Sequence, residues 1–174
     1  ERLLQANGSF DFDSVDEWLK DSLTTYVKEH VGTIGENMNL SFVFRAGEQS
    51  FVYNHTWNTI SAIVFYSSDA DVSENIKDVA LQVAAMNPIA LDADQVSEEI
   101  KARELELGKE QALKEGKPEA IIDKIAQGKL QKYFKENTLL NQQYFVDNKV
   151  TVKAYLQSVS KDLTVTDFKR SSLV

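Results

Sequence analysis

Between residues 14 and 31 the apolar side chains Val15, Trp18, Leu19, Leu23, Tyr26, Val27 and Val31 recur three and four positions apart, the spacing that lines one face of an α-helix. Ser14-x-x-Glu17 is a capping box, in which each side chain satisfies a backbone N–H left open at the helix start. Gly32 supplies the residue that most easily takes the left-handed turn closing a helix. The period then drops to two. Met38, Leu40, Phe42 and Phe44 alternate with Asn39, Ser41, Val43 and Arg45, which predicts a half-buried strand. A turn at Ala46-Gly47-Glu48-Gln49, a short strand through Phe51, Val52 and Tyr53, and a reversal at Asn54-His55-Thr56-Trp57-Asn58 follow. Ile60 to Tyr66 is almost continuously apolar, as in a central strand covered on both faces. The expectation is an antiparallel three-stranded meander.

Asp71-x-x-Glu74 precedes a second helix whose Ile76, Val79, Ala80, Val83 and Ala84 form a buried stripe, and Pro88 ends it because the residue before proline avoids helical angles. The texture changes from residue 95. Half of the twenty residues from Val96 to Glu115 are charged, with Glu99–Arg103 and Glu110–Lys114 at favourable spacing. The apolar stripe there is thin: Val96, Ile100 and Leu107. Gly116 ends this helix and Lys117-Pro118-Glu119 starts another, with proline where a missing N–H costs nothing. Ile121, Ile122 and Ile125 give the second helix its seam, so the pair reads as a projecting antiparallel hairpin.

Leu130, Tyr133 and Phe134 carry a helix toward Asn137. Thr138–Val146 is irregular, with Leu139, Leu140, Tyr144 and Phe145 expected to dock on the core. Val152, Tyr155, Leu156 and Val159 mark a last short helix, and Leu163 to Arg170 alternates weakly as a closing edge strand. The fold class expected is α+β: an antiparallel three-to-four-stranded sheet backed by helices, with a protruding helical hairpin. The expected division is a core over 1–94, a hairpin over 95–135, and a return to the core over 136–174.

Composition narrows the function. At 174 residues and 43% hydrophobic, the chain can bury a core. The absence of cysteine excludes disulfide scaffolds, thiolate metal sites and cysteine nucleophiles, and fits a reducing compartment. A net charge of -8 disfavours a phosphate-binding surface, so no direct nucleic-acid contact is expected. No apolar run is long enough to span a bilayer, and no membrane association is expected. Glu1 stands first and nothing there resembles a signal peptide, so the chain is expected to be a fragment or processed form.

Candidate chemistry is sparse. Of two histidines, His30 falls in the last turn of the first helix, where a cation complements the helix dipole. His55 sits in the reversal beside Trp57, where a surface contact stands against simple turn filling. Asp11/Asp13, Asp69/Asp71 and Asp92/Asp94 each precede a helix and read as caps. Seven scattered glycines make no phosphate cradle, and no metal spacing or esterase elbow occurs. No cofactor is expected. By elimination the chain reads as a recognition module, not an enzyme.

Four segments carry a resemblance. Ile34-Gly35-Glu36-Asn37-Met38-Asn39 resembles the Ile-Gly-Glu-Asn signature of the bacterial elongation factor Ts family. Val79 to Pro88 resembles that family's Ile-Ala-x-x-Ile-Ala-Ala helix ending in proline. Glu115-Gly116-Lys117-Pro118, with Ile125, Gly128 and Lys129, resembles the turn and second arm of its hairpin, and Leu139 to Val146 resembles the loop that follows. The similarity covers roughly residues 30–170, in order.

The resemblance implies a cytoplasmic guanine-nucleotide exchange factor that binds elongation factor Tu and promotes GDP release during translation elongation. Such exchange is linkage, since a factor that prefers the nucleotide-free state loosens the nucleotide. Ile34 and Gly35 match family positions that touch the partner, and His55 matches the histidine of a Tyr-x-His-Gly turn, with Thr56 in place of the glycine. The family's Thr-Asp-Phe-Val-Ala-Lys-Asn segment, which wedges toward the partner's magnesium site, is expected to lie upstream. Thr166-Asp167-Phe168 and Asp11-Phe12 lack its flanking residues and read as coincidence. The chain is therefore expected to be a core-and-dimerisation fragment with weak exchange or none. The hairpin corresponds to the family's coiled-coil or dimerisation module. A homodimer through it, a solvated arm, and a purely structural dimerisation domain without exchange activity all remain open at this stage.

Overall fold

The computed structural model describes residues 8–11, 17–38, 42–45, 49–55, 57, 59–68 and 71–173. The chain divides into two compact units, 1–48 and 49–174.

In the first unit, strand β1 (Gly8–Asp11) pairs antiparallel with β2 (Phe42–Arg45), Gly8 opposite Arg45 and Asp11 opposite Phe42. Between them in sequence runs helix α1 (Glu17–Ile34). The periodicity places this helix correctly but not its end. Gly32 stays helical, and Gly35, at φ +79, makes the left-handed exit while its N–H donates to the Val31 carbonyl at 2.8 Å. The Ser14 cap and Leu40 lie outside the described residues.

The second unit holds a sheet in the order β3 (Ser50–Asn54), β4 (Ile60–Tyr66), β5 (Val165–Ser172), antiparallel throughout. Of the expected meander this unit contains the second hairpin, completed by the C-terminal strand, whereas β2 pairs with β1 in the first unit. Burial along β4 alternates. Ala62 and Val64 are buried, while Ile63 and Phe65 on the other face are only half-buried, so the strand is central in order but fully covered on one face alone. Phe51 and Phe168 flank Val64 on the inner face.

Helix α2 (Ser73–Met86) lies against that face. Ile76, Val79, Ala80, Val83 and Ala84 are all buried, as their spacing predicts. Asp71 accepts from the Ser73 hydroxyl at 2.6 Å and its N–H at 3.3 Å, fixing the approach to the helix. Asn87, left-handed at φ 46, closes it one residue ahead of Pro88. Arg170 Nε donates to the Ala84 carbonyl at 3.0 Å, placing a cation of β5 at the helix C-terminus, where the dipole favours it.

Helices α3 (Glu98–Lys114) and α4 (Glu119–Asn137) form the hairpin. Gly116 turns the chain at φ 69, with Lys117 N–H bonded to the Ala112 carbonyl and Gly116 N–H to the Leu113 carbonyl, a Schellman closure. The seam differs from the one read in sequence. Leu107 faces solvent, and the buried positions are Gly108 and Ala112 against Ile122 and Ala126. Near its base, Val96, Leu130 and Phe134 form a second small core.

The chain then returns under the sheet. Leu139 and Leu140 in a short turn and Val152 and Leu156 of α5 (Val152–Val159) are buried with α2. Burial of each such large aliphatic side chain contributes about 1.5–3 kcal/mol. The fold is α+β, an antiparallel sheet backed by helices with a helical hairpin.

Candidate partner-binding surface

Ile34 and Gly35 lie where α1 ends. The Ile34 side chain is more than half exposed on the last helical residue, and the left-handed turn at Gly35 redirects the chain immediately after it. One turn earlier His30 packs on Tyr26, with ring centroids 4.1 Å apart, and its Nδ1 lies 2.9 Å from the Tyr26 carbonyl. Since a carbonyl only accepts, this ring nitrogen carries the proton.

His55 belongs to the second unit. It directly follows β3, with its N–H donating to the Ile60 carbonyl at 2.8 Å across the reversal. Its Nδ1 lies 2.9 Å from the Tyr53 hydroxyl, which holds the exposed ring to the strand. The left-handed backbone of this turn falls on Trp57, at φ 65, with a side chain 90% exposed. Thr56 lies outside the described residues.

A third exposed apolar feature arises where docking was expected. Tyr144 is buried, stacked on Tyr155 at 3.9 Å and donating to Asp78 at 2.8 Å. The next residue, Phe145, sets its ring edge-to-face with Tyr144, centroids 5.5 Å apart, yet is 47% exposed, and Val146 is 62% exposed. The local sequence pattern does not distinguish the exposed Phe145 from the buried Tyr144 before it.

This loop is held by buried polar groups. Gln82, the one polar residue on the buried face of α2, donates to Gln142 Oε1 at 3.1 Å and the Gln143 carbonyl at 3.0 Å, and accepts the Phe145 N–H at 3.2 Å. Gln142 in turn donates to the Glu136 carbonyl at 3.0 Å. Buried amides so satisfied cost little and fix geometry.

Asp92 is a cap as expected. Burial works to raise its pKa, but hydrogen bonds from Asn141 and the Ala93 N–H, with Lys153 nearby, bring it below the usual carboxylate value. Among the described residues no three histidine or acidic side chains gather as metal ligands, and no helix is long and apolar enough to cross a membrane.

Each unit by itself exposes large apolar side chains, Ile34 in the first and Trp57, Phe145 and Val146 in the second, the kind of surface feature that marks protein–protein contact. The comparisons place the chain in a family. The family model described as elongation factor TS matches residues 5–173. Elongation factor Ts of Porphyromonas gingivalis is 40% identical over 153 residues, covering 87% of this chain and 56% of that protein. That of Flavobacterium psychrophilum is 39% identical over 176 residues, covering 97% and 64%. That of Cytophaga hutchinsonii is 45% identical over 154 residues, covering 84% and 55%. The chain belongs to the elongation factor Ts family, and it spans somewhat over half the length of these curated relatives.

Proposed function

We propose that this chain binds elongation factor Tu in the cytoplasm and promotes GDP release during translation elongation, acting by protein contact without bond-making of its own. Family membership across nearly the whole chain is the observation that carries this reading. Its physical support is found in each unit separately: exposed Ile34 beside Gly35 in the first, and the His55 turn and the Phe145-Val146 loop in the second. These are the proposed partner contacts. The mechanism is linkage, in which contacts stronger with the nucleotide-free state lower nucleotide affinity by the same factor. No cofactor or metal of the chain's own enters such a scheme.

The test is the release rate of fluorescent GDP from elongation factor Tu. Acceleration that rises with added chain and saturates is the expected result. An unchanged rate with the complex fully formed would refute the exchange role.

A second reading, a dimerisation domain without exchange activity, draws on the hairpin taken as a module over 95–135. Its Leu107, Leu113 and Ile121 are exposed on α3 and α4. A homodimer through this arm is compatible with partner binding elsewhere, and sedimentation of the chain against a Leu113→Glu variant distinguishes it from a solvated arm.

A further inference from the structure

At φ 65 Trp57 occupies the left-handed region, where the Cβ of an L-residue crowds its own backbone. Among the described residues the other non-glycine there is Asn87, which closes α2 at a position where asparagine is readily accommodated. Tryptophan has no such affinity for this conformation. Nor does packing within the chain compensate, because the side chain is 90% exposed.

The strand ends on either side of Trp57 are held together. His55 N–H donates to the Ile60 carbonyl at 2.8 Å, Asn54 stands opposite Ser61, and the Ser61 hydroxyl donates to Asn54 Oδ1 at 2.7 Å. Strained residues persist where surroundings over-determine them, and they concentrate at binding sites. Here the strained residue is also the largest apolar side chain type, held in water two positions after His55.

We propose that Trp57 is an anchor that inserts into an apolar socket on elongation factor Tu adjoining the His55 contact, and that it determines how tightly this chain holds that partner; this rests on the function proposed above. The socket has apolar walls and one acceptor for the indole N–H, the pairing that makes buried tryptophan favourable. Tryptophan is among the residue types most enriched at energetic centres of interfaces.

The chain carrying Trp57→Gly separates this role from packing. Glycine relieves the left-handed strain, so the thermal midpoint equals or exceeds that of the parent chain. Affinity for nucleotide-free elongation factor Tu falls about tenfold or more, and Trp57→Phe retains most of it. Hydroxyl-radical footprinting of the parent complex shows Trp57 protected. A glycine variant that binds as tightly as the parent overturns the anchor and leaves the proposed function standing. Loss of thermal stability in step with affinity also overturns it, assigning Trp57 to packing. A parent chain that fails to bind overturns both.

Discussion

Gln82 accepts the Phe145 N–H at 3.2 Å, so the backbone of Phe145 is tied to the buried face of α2 while its ring, edge-on to Tyr144, stays half exposed. The same amide donates to Gln142 and Gln143, so one side chain ties down three residues of the loop. Gln82→Leu keeps the volume and removes all three bonds. Stranded buried donors and acceptors cost about 1–3 kcal/mol each, so a loss of about 3 kcal/mol or more is expected in chemical denaturation. Binding to elongation factor Tu is expected to weaken as well, because Phe145 and Val146 lose their fixed position.

Val146→Ser and His55→Ala alter exposed side chains and should behave differently. Surface changes of this kind stay within about 0.5 kcal/mol of the parent in stability. Each is expected to weaken the complex with elongation factor Tu, by about 1 kcal/mol or more where the contact lies near the centre of the interface. Calorimetric titration alongside thermal melts checks both, and a matching loss in the melts would reassign the residue to packing.

The hairpin depends on a close approach. A Cβ added at Gly108 would stand 3.0 Å from Ala126 Cα, so a branched side chain forces α3 and α4 apart. Gly108→Val is expected to cost about 1–3 kcal/mol, as overpacking does. Gly108→Ala is milder, since its gain in helix propensity of about 1 kcal/mol opposes the crowding. Circular dichroism melts of the two variants should rank in that order.

Tyr144 provides a pH signature. Burial, hydrogen bonding with Tyr155 and Asp78, and the nearby negative charge all push its phenol far above the ordinary 10.0. A folded-state pKa raised above the unfolded one favours the neutral form. The associated stability is fully present below pH 10 and is lost as pH rises above it. Tyr144→Phe is expected to flatten that alkaline limb of the stability curve, and ultraviolet difference titration should show one tyrosine ionising only on unfolding.

Much of the second unit was legible because large apolar residues at regular spacing leave few alternatives. The stripe from Ile76 to Ala84 and the buried Leu156 follow from helical period, the closing strand β5 from a weak alternation, and Leu139 and Leu140 from their bulk in an otherwise irregular stretch. The hairpin was legible as a pair of helices but not in its seam. Contact there runs through Gly108, Ala112 and Ala126, and a reading that looks for bulky residues assigns the role to Leu107. Strand β1 has a single apolar residue, Phe10, so it shows no alternation and is defined by its pairing with β2.

The candidate surface was less legible than the fold. Ile34, Gly35 and His55 came from resemblance, since neither spacing nor charge distinguishes them. Gln82 is a polar interruption in an apolar stripe, and its role depends on a loop far along the chain that no local pattern reveals. Trp57 looked like an ordinary turn residue because composition carries no information about φ.

Titration of this chain against nucleotide-free and GDP-bound elongation factor Tu tests the central claim most directly. Micromolar or tighter binding to the nucleotide-free form, with distinctly weaker binding to the GDP form, is the expected result, because the difference between the two affinities is the driving force for release. Equal affinity for both forms, or no complex with either, would contradict it.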